Sequence, residues 1–105
     1  MIRWIKAHQE YMEFSRAEKA IRTQFFYVPM LPDDSGPALG ITISKKVSNS
    51  VSRNRLKRRM RAWFREHQQA LPRSKKMNII ARRGAAGLSW QELCEHLGEM
   101  VKCMV

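Results

Sequence analysis

From Ser35 to Arg65 the chain runs 31 residues without one Asp or Glu, and nine Lys or Arg fall within that stretch. Extended to Arg83, the segment holds 14 basic residues and a single acid, Glu66, a charge of +13 in a protein whose total is +11. The remainder is slightly acidic, at −2. Charge massed in this way repels itself, so a fold that contains it must spread the cations over a surface where a polyanion can neutralise them. Solvated helix faces ordinarily alternate Glu with Lys at spacings of three or four. No such pairing is available here before Glu66.

The same segment sets out two elements. Ala38 to Lys46 alternates, with Leu39, Ile41 and Ile43 to one side and Thr42, Ser44 and Lys46 to the other, as in a half-buried strand. Ser48, Asn49 and Ser50 are each competent helix N-caps, and from Val51 to about Gln69 the spacing is helical. At roughly 100° per residue, Leu56, Met60, Trp63 and Phe64 form one apolar stripe. Arg53, Asn54, Lys57, Arg58, Arg61 and Arg65 form a cationic ridge beside it, with Arg55 and Arg59 on the other flank. Guanidinium groups grip phosphate bidentately and stack on bases, and Asn54 both donates and accepts, as a sugar hydroxyl or base edge requires.

Around this centre the remaining elements are shorter. His8 to Arg16 reads as an amphipathic helix carrying Tyr11 and Phe14. Thr23 to Leu31 reads as a strand in which Phe26 and Val28 share one face and Phe25 and Tyr27 the other, so only one set can line an open surface. Pro29 is expected to interrupt that strand's pairing or hold it at an edge. The turn residues from Pro32 to Pro37 predict an antiparallel, hairpin-like return into the Ala38 strand. Met77 to Ala81 reads as a buried strand, Gly84 and Gly87 mark a loop, and Ser89 with Glu92 makes a capping box. That box opens a last helix with Leu93, Leu97, Met100, Val101 and Met104 on its apolar side. The order predicts a single α/β (α+β) two-layer sandwich, residues 1–105, with helices on a small mixed sheet.

Several functions are excluded. No apolar run approaches the ~20 residues that cross a bilayer, and charges break the opening residues where a signal peptide would be continuous. Cys94 and Cys103 form no disulfide framework or zinc pattern, which fits a reducing cytoplasm. His8, His67 and His96 stand apart from any catalytic partner, and Glu10, Glu13, Glu92, Glu95 and Glu99, the carboxylates that could be imagined as a metal cluster, lie on the terminal helices, away from the ridge. No catalytic or metal-ligating residue is therefore assigned to this chain. A nucleic acid is the expected partner. A DNA reader is disfavoured because the apolar stripe ties the helix to its own sheet. A structural RNA binder, such as a small ribosomal protein, stays open as one reading of the ridge.

Gly40-Ile41-Thr42-Ile43-Ser44-Lys45-Lys46, followed by Ser52-Arg53-Asn54-Arg55-Leu56-Lys57-Arg58, resembles the signature of the bacterial ribonuclease P protein subunit. Asn78-Ile79-Ile80-Ala81-Arg82-Arg83-Gly84 resembles that family's last strand and basic turn. The resemblance implies that a large RNA subunit, not the protein, carries the Mg²⁺-dependent hydrolysis that removes the 5′ leader of precursor tRNA. By similarity, Arg53, Asn54, Arg55, Lys57, Arg58, Arg61 and Arg65 would contact the catalytic RNA. Tyr11, Phe14, Phe26, Val28, Thr42, Ser44, Lys46 and Arg53 would form the cleft for the leader. The resemblance also implies a left-handed β-α-β crossover around the Arg-rich helix, and no obligate protein partner or membrane. Two positions depart from the family pattern. Arg59 stands where an aliphatic residue is usual, and Tyr11 and Phe14 are spaced by three rather than four.

Overall fold

The structure, a computed structural model, describes residues 1–104. Its frame is a five-stranded mixed sheet in the order β1-β4-β5-β3-β2. The strands are β1 (Arg3–Trp4), β2 (Lys19–Arg22), β3 (Phe26–Pro32), β4 (Ala38–Ile43) and β5 (Lys75–Ala81). Three α-helices accompany them: α1 (His8–Met12), α2 (Ser50–Glu66) and α3 (Trp90–Lys102).

The expected hairpin between β3 and β4 does not form, because β5 lies between them, antiparallel to β3 and parallel to β4. The physical reason lies in β5 itself. Lys76 through Ile79 are buried on both faces of the sheet, and a strand so placed needs a hydrogen-bonding neighbour on each edge. The turn at Asp33–Pro37 instead carries the chain past the start of β5, where the Asp33 amide donates to the Ser74 carbonyl at 2.9 Å. Parallel neighbours require a long crossover, and α2 supplies it between β4 and β5. The true hairpin is β2–β3, closed by Thr23, whose hydroxyl oxygen accepts from the Phe26 amide at 3.1 Å. Pro29 does not place β3 at an edge: it pairs with Ala20 of β2, and the register to β5 passes from Tyr27↔Ile80 to Met30↔Met77 around it.

Helices α2 and α3 cover one face of the sheet. Phe26, Val28, Leu39, Ile41, Met77 and Ile79 meet Leu56, Met60, Phe64, Leu93, Leu97 and Met100 there in the main core. Ser89 and Glu92 form the expected capping box at the start of α3. Only α1, continued by a 3-10 turn over Glu13–Arg16, sits on the opposite face, where Phe14 joins Ile5 and Ala38 in a small second cluster. That face is consequently only half covered. The loop beyond β5 turns at Gly84, whose φ of 96° lies in the left-handed region that side chains strain to occupy.

Candidate nucleic-acid interface

The interface begins with how α2 is started and anchored. Of the three candidate caps Asn49 is the one used: its side-chain oxygen accepts from the Ser52 amide at 2.9 Å. Leu56, Met60, Trp63 and Phe64 are all buried, so the helix cannot rotate without exposing its stripe. The opposite side is thereby held outward. Asn54, Arg55, Arg58 and Arg65 are exposed, while Arg53, Lys57 and Arg61 are half-buried.

These residues do not behave alike. The Arg53 guanidinium donates to the Ser48 carbonyl at 2.6 Å, closing the turn that leads into the helix. Arg61 lies 5.6 Å over the Trp4 ring of β1. Val51, Asn54, Lys57, Arg58 and Arg61 line one shallow groove along the helix, whereas Arg65 stands in the last turn, where a cation complements the helix dipole. Among the described residues no cation of α2 is within ion-pair distance of a carboxylate. All four ion pairs gather instead around Arg3 and Lys76.

The second part of the interface is the half-covered sheet face. Tyr11 lies flat on β4 because residue 40 is glycine: a Cβ there would meet the Tyr11 ring at 2.5 Å. The Tyr11 hydroxyl donates to the Ile5 carbonyl at 3.1 Å. Beyond the tyrosine, Thr42 donates to Asn78 Oδ1 at 2.8 Å. Thr42 pairs with Ile80, and Ile80 with Tyr27, so these half-exposed side chains form one row across the open face. Arg22 ends the row, 5.0 Å from the Tyr27 ring.

The expected cleft is thus partly redrawn. Phe26 and Val28 are fully buried on the helix-covered face and cannot line it. Tyr27 holds the position instead. Phe14 is also buried, against Ile5 and Ala38 rather than beside the open row. Phe25 does not share Tyr27's face, because it precedes the first residue of β3; its ring meets that of His96 on α3 edge-on, at 4.7 Å. Ser44 and Lys46 lie beyond the end of β4, in a turn where Ser44 Oγ accepts from the Lys46 amide at 3.2 Å. Strand alternation therefore does not govern them, although both are exposed at the mouth of the face. Arg22 and Asn78 are residues of this face that sequence reasoning missed. Only the pairing of β2 with β3 and of β4 with β5 places them there.

An anchored cationic helix and an open polar sheet face on one small α+β sandwich are the marks of a nucleic-acid-binding protein. Residues 3–105 match the family described as Ribonuclease P, and the chain belongs to that family. It is 35% identical over 97 residues to the ribonuclease P protein component of Desulforapulum autotrophicum, covering 91% of this chain and 83% of the relative. The corresponding protein of Halalkalibacterium halodurans is 31% identical over 93% of this chain and 84% of its own length. Among solved structures, the RNase P protein of Staphylococcus aureus superposes with a TM-score of 0.85 at 26% identity, over 95% of this chain and 93% of that one. The RNase P protein from Thermotoga maritima shares the fold with a TM-score of 0.84 at 20% identity, over 96% of each chain. Membership makes the chain a protein component of the ribonuclease P endoribonuclease, with the ribonuclease P RNA as its partner, and sets aside the ribosomal alternative.

Proposed function

We propose that the exposed side of α2 binds the ribonuclease P RNA while the open sheet face holds the 5′ leader of precursor tRNA. The whole chain, 1–105, acts as one domain in a cytoplasmic particle. The observation that carries the reading is that, among the described residues, the α2 cations have no carboxylate partners, while a polar face of the sheet is left uncovered. A single strand needs cations for its phosphates and flat rings for its bases. Lys46, Arg22 and the mouth of the β4–α2 turn supply the first, and Tyr11 and Tyr27 supply the second. Arg53, Asn54, Arg55, Lys57, Arg58, Arg61 and Arg65 are the RNA-subunit contacts in this reading, with Arg53 also shaping the turn between the two surfaces. Thr42 and Ser44 offer hydroxyls to the leader.

Mg²⁺ enters this reading as an ion of the RNA and its substrate, where it supports phosphodiester hydrolysis. The chain's own residues do not fit a resident metal: Glu10, Glu13 and Asp33 are tied to Arg3 and Lys76. Among the described residues no group of three His, Cys, Asp or Glu side chains gathers to hold one. The protein's part is to bind, align and neutralise.

The test is reconstitution. With a bacterial ribonuclease P RNA and precursor tRNA at low Mg²⁺, adding the protein should raise the rate of leader removal at least tenfold and tighten substrate binding. A precursor with a leader cut to one nucleotide should gain much less. No stimulation would remove the reading, and equal gain for both precursors would remove the leader from the sheet face.

A further inference from the structure

On the far side of the sheet from the open face, α2 and α3 enclose a second groove, lined by Arg55, Arg58, Arg59, Ala62 and Trp90. The four α2 residues follow the spacing i, i+3, i+4, i+7 and therefore make one ladder down the helix. Ala62 leaves the floor of the groove shallow. Trp90 is the first residue of α3, directly after the Ser89 cap. It is 43% exposed, in contrast to the buried Trp63, so packing in the core does not account for it. The nearby carboxylate of Glu92 is turned back to accept from the Ser89 amide at 2.9 Å. Among the described residues, none of the three arginines has an ion-pair partner.

We infer that this groove is a second RNA-binding subsite, which takes an unpaired nucleotide with its base stacked on the Trp90 indole and its phosphates on Arg55 and Arg59. The inference rests on the RNA-binding role proposed above and extends it to two residues, Arg59 and Trp90, outside that interface. Charge complementarity commits the site to a polyanion, and the flat indole among guanidinium groups selects one that carries bases. Arg58 borders both this groove and the one lined by Asn54, Lys57 and Arg61, so one bound RNA can run continuously over the crest of α2. The sheet cleft opens on the opposite face, so the strand held there is not the occupant of this groove. The occupant is either a looped-out nucleotide of the RNA subunit or a separate unpaired segment of the precursor.

The full-length chain is titrated with ribonuclease P RNA and, separately, with precursor tRNA. W90A should weaken binding to one of them by about 5- to 150-fold, the loss expected from one stacked base. W90F should recover most of that loss, and R59L should lower the log–log salt slope by roughly 0.7. Loss with the RNA subunit assigns the groove to the catalytic RNA, and loss with the precursor alone assigns it to substrate. With Trp4, the other partly exposed indole, replaced in a W4F chain, bound RNA should shield the Trp90 indole from acrylamide, a readout that leaves the groove itself unaltered. Wild-type affinity of W90A for both RNAs, or an indole left unshielded in the bound protein, overturns the inference while leaving the reconstitution result standing. Competition by poly-glutamate as strong as by poly-uridylate would reassign the groove to an acidic protein and also overturn it. A wild-type chain that binds neither RNA brings down the function reading together with this one.

Discussion

Two clusters of basic residues in this molecule meet opposite fates. At the N-terminal corner Arg3 donates to both oxygens of Glu10, at 2.9 and 2.7 Å, and to Asp33 at 2.8 Å. Lys76, largely buried, reaches Glu13 at 2.6 Å and Glu10 at 3.5 Å. This network clamps α1 and the adjoining 3-10 turn to the β3–β4 turn and to β5. Hydrogen bonds from Arg3 hold Glu10 and Asp33 below the usual carboxylate range, and those carboxylates in turn raise Arg3. Along α2, guanidinium groups of the same chemistry find no carboxylate among the described residues. The difference teaches that a cation serves the fold where the chain supplies its counterion, and is left to a partner where the chain withholds one.

The comparison can be broken most forcefully on α2. Replacing Arg55 and Arg58 with Ala should weaken affinity for the ribonuclease P RNA about 100-fold, at ~1.4 kcal/mol per charged contact, with an unchanged melting temperature. A melted domain would mean that these arginines serve the fold after all. Arg53 is unsuited to this test because its bond to Ser48 is part of the turn. Next in size is Gly40→Ala, whose added methyl meets the Tyr11 ring. Overpacking of this kind costs ~1–3 kcal/mol, to be read by denaturant melts. Stability equal to wild type would show that the tyrosine is free to lift away.

The smallest effect belongs to the clamped corner. Arg3→Ala should cost roughly 0.5–1 kcal/mol at neutral pH, a modest figure because the pairs are partly solvent-screened. Its pH signature is sharper. Glu10 and Asp33 titrate lower in the folded chain than in the unfolded one, so the unfolded state binds protons first as the solution is acidified. Their stabilisation is complete above the ordinary carboxylate range near pH 4 and is lost as the pH falls through their depressed values. In the Arg3→Ala variant that acid limb should flatten. RNA affinity should change by less than twofold, and a larger fall would erase the distinction between the two clusters.

The helical stripe of α2, the alternation of β4 up to Ile43, the capping box of α3 and the carboxylate-free ridge were all legible in the sequence. They are local patterns, and local patterns survive folding. What misled were inferences across elements. Turn residues between β3 and β4 suggested adjacency, but the doubly buried β5 had a stronger need for two neighbours. Alternation separated Phe26 and Val28 from Tyr27 without saying which set faced the helices, and it misplaced Phe25 and Lys46 once extended past the strand ends. No local signal marked Arg22, Asn78 or the Arg59–Trp90 groove, since each depends on residues brought together from distant parts of the chain.

By itself, then, the order of amino acids determined where the helices lie and three of the five strands, β3, β4 and β5, and that α2 would carry cations without internal counterions. Both come from periodicity and sign, which act over a few residues. Tertiary structure alone decided which sheet face stays open, which aromatic reaches it and which arginines are spent on the fold. Those outcomes arise from competition among all strands for the two sides of β5 and among all carboxylates for the nearest cation, and such competition is resolved only when the whole chain is packed.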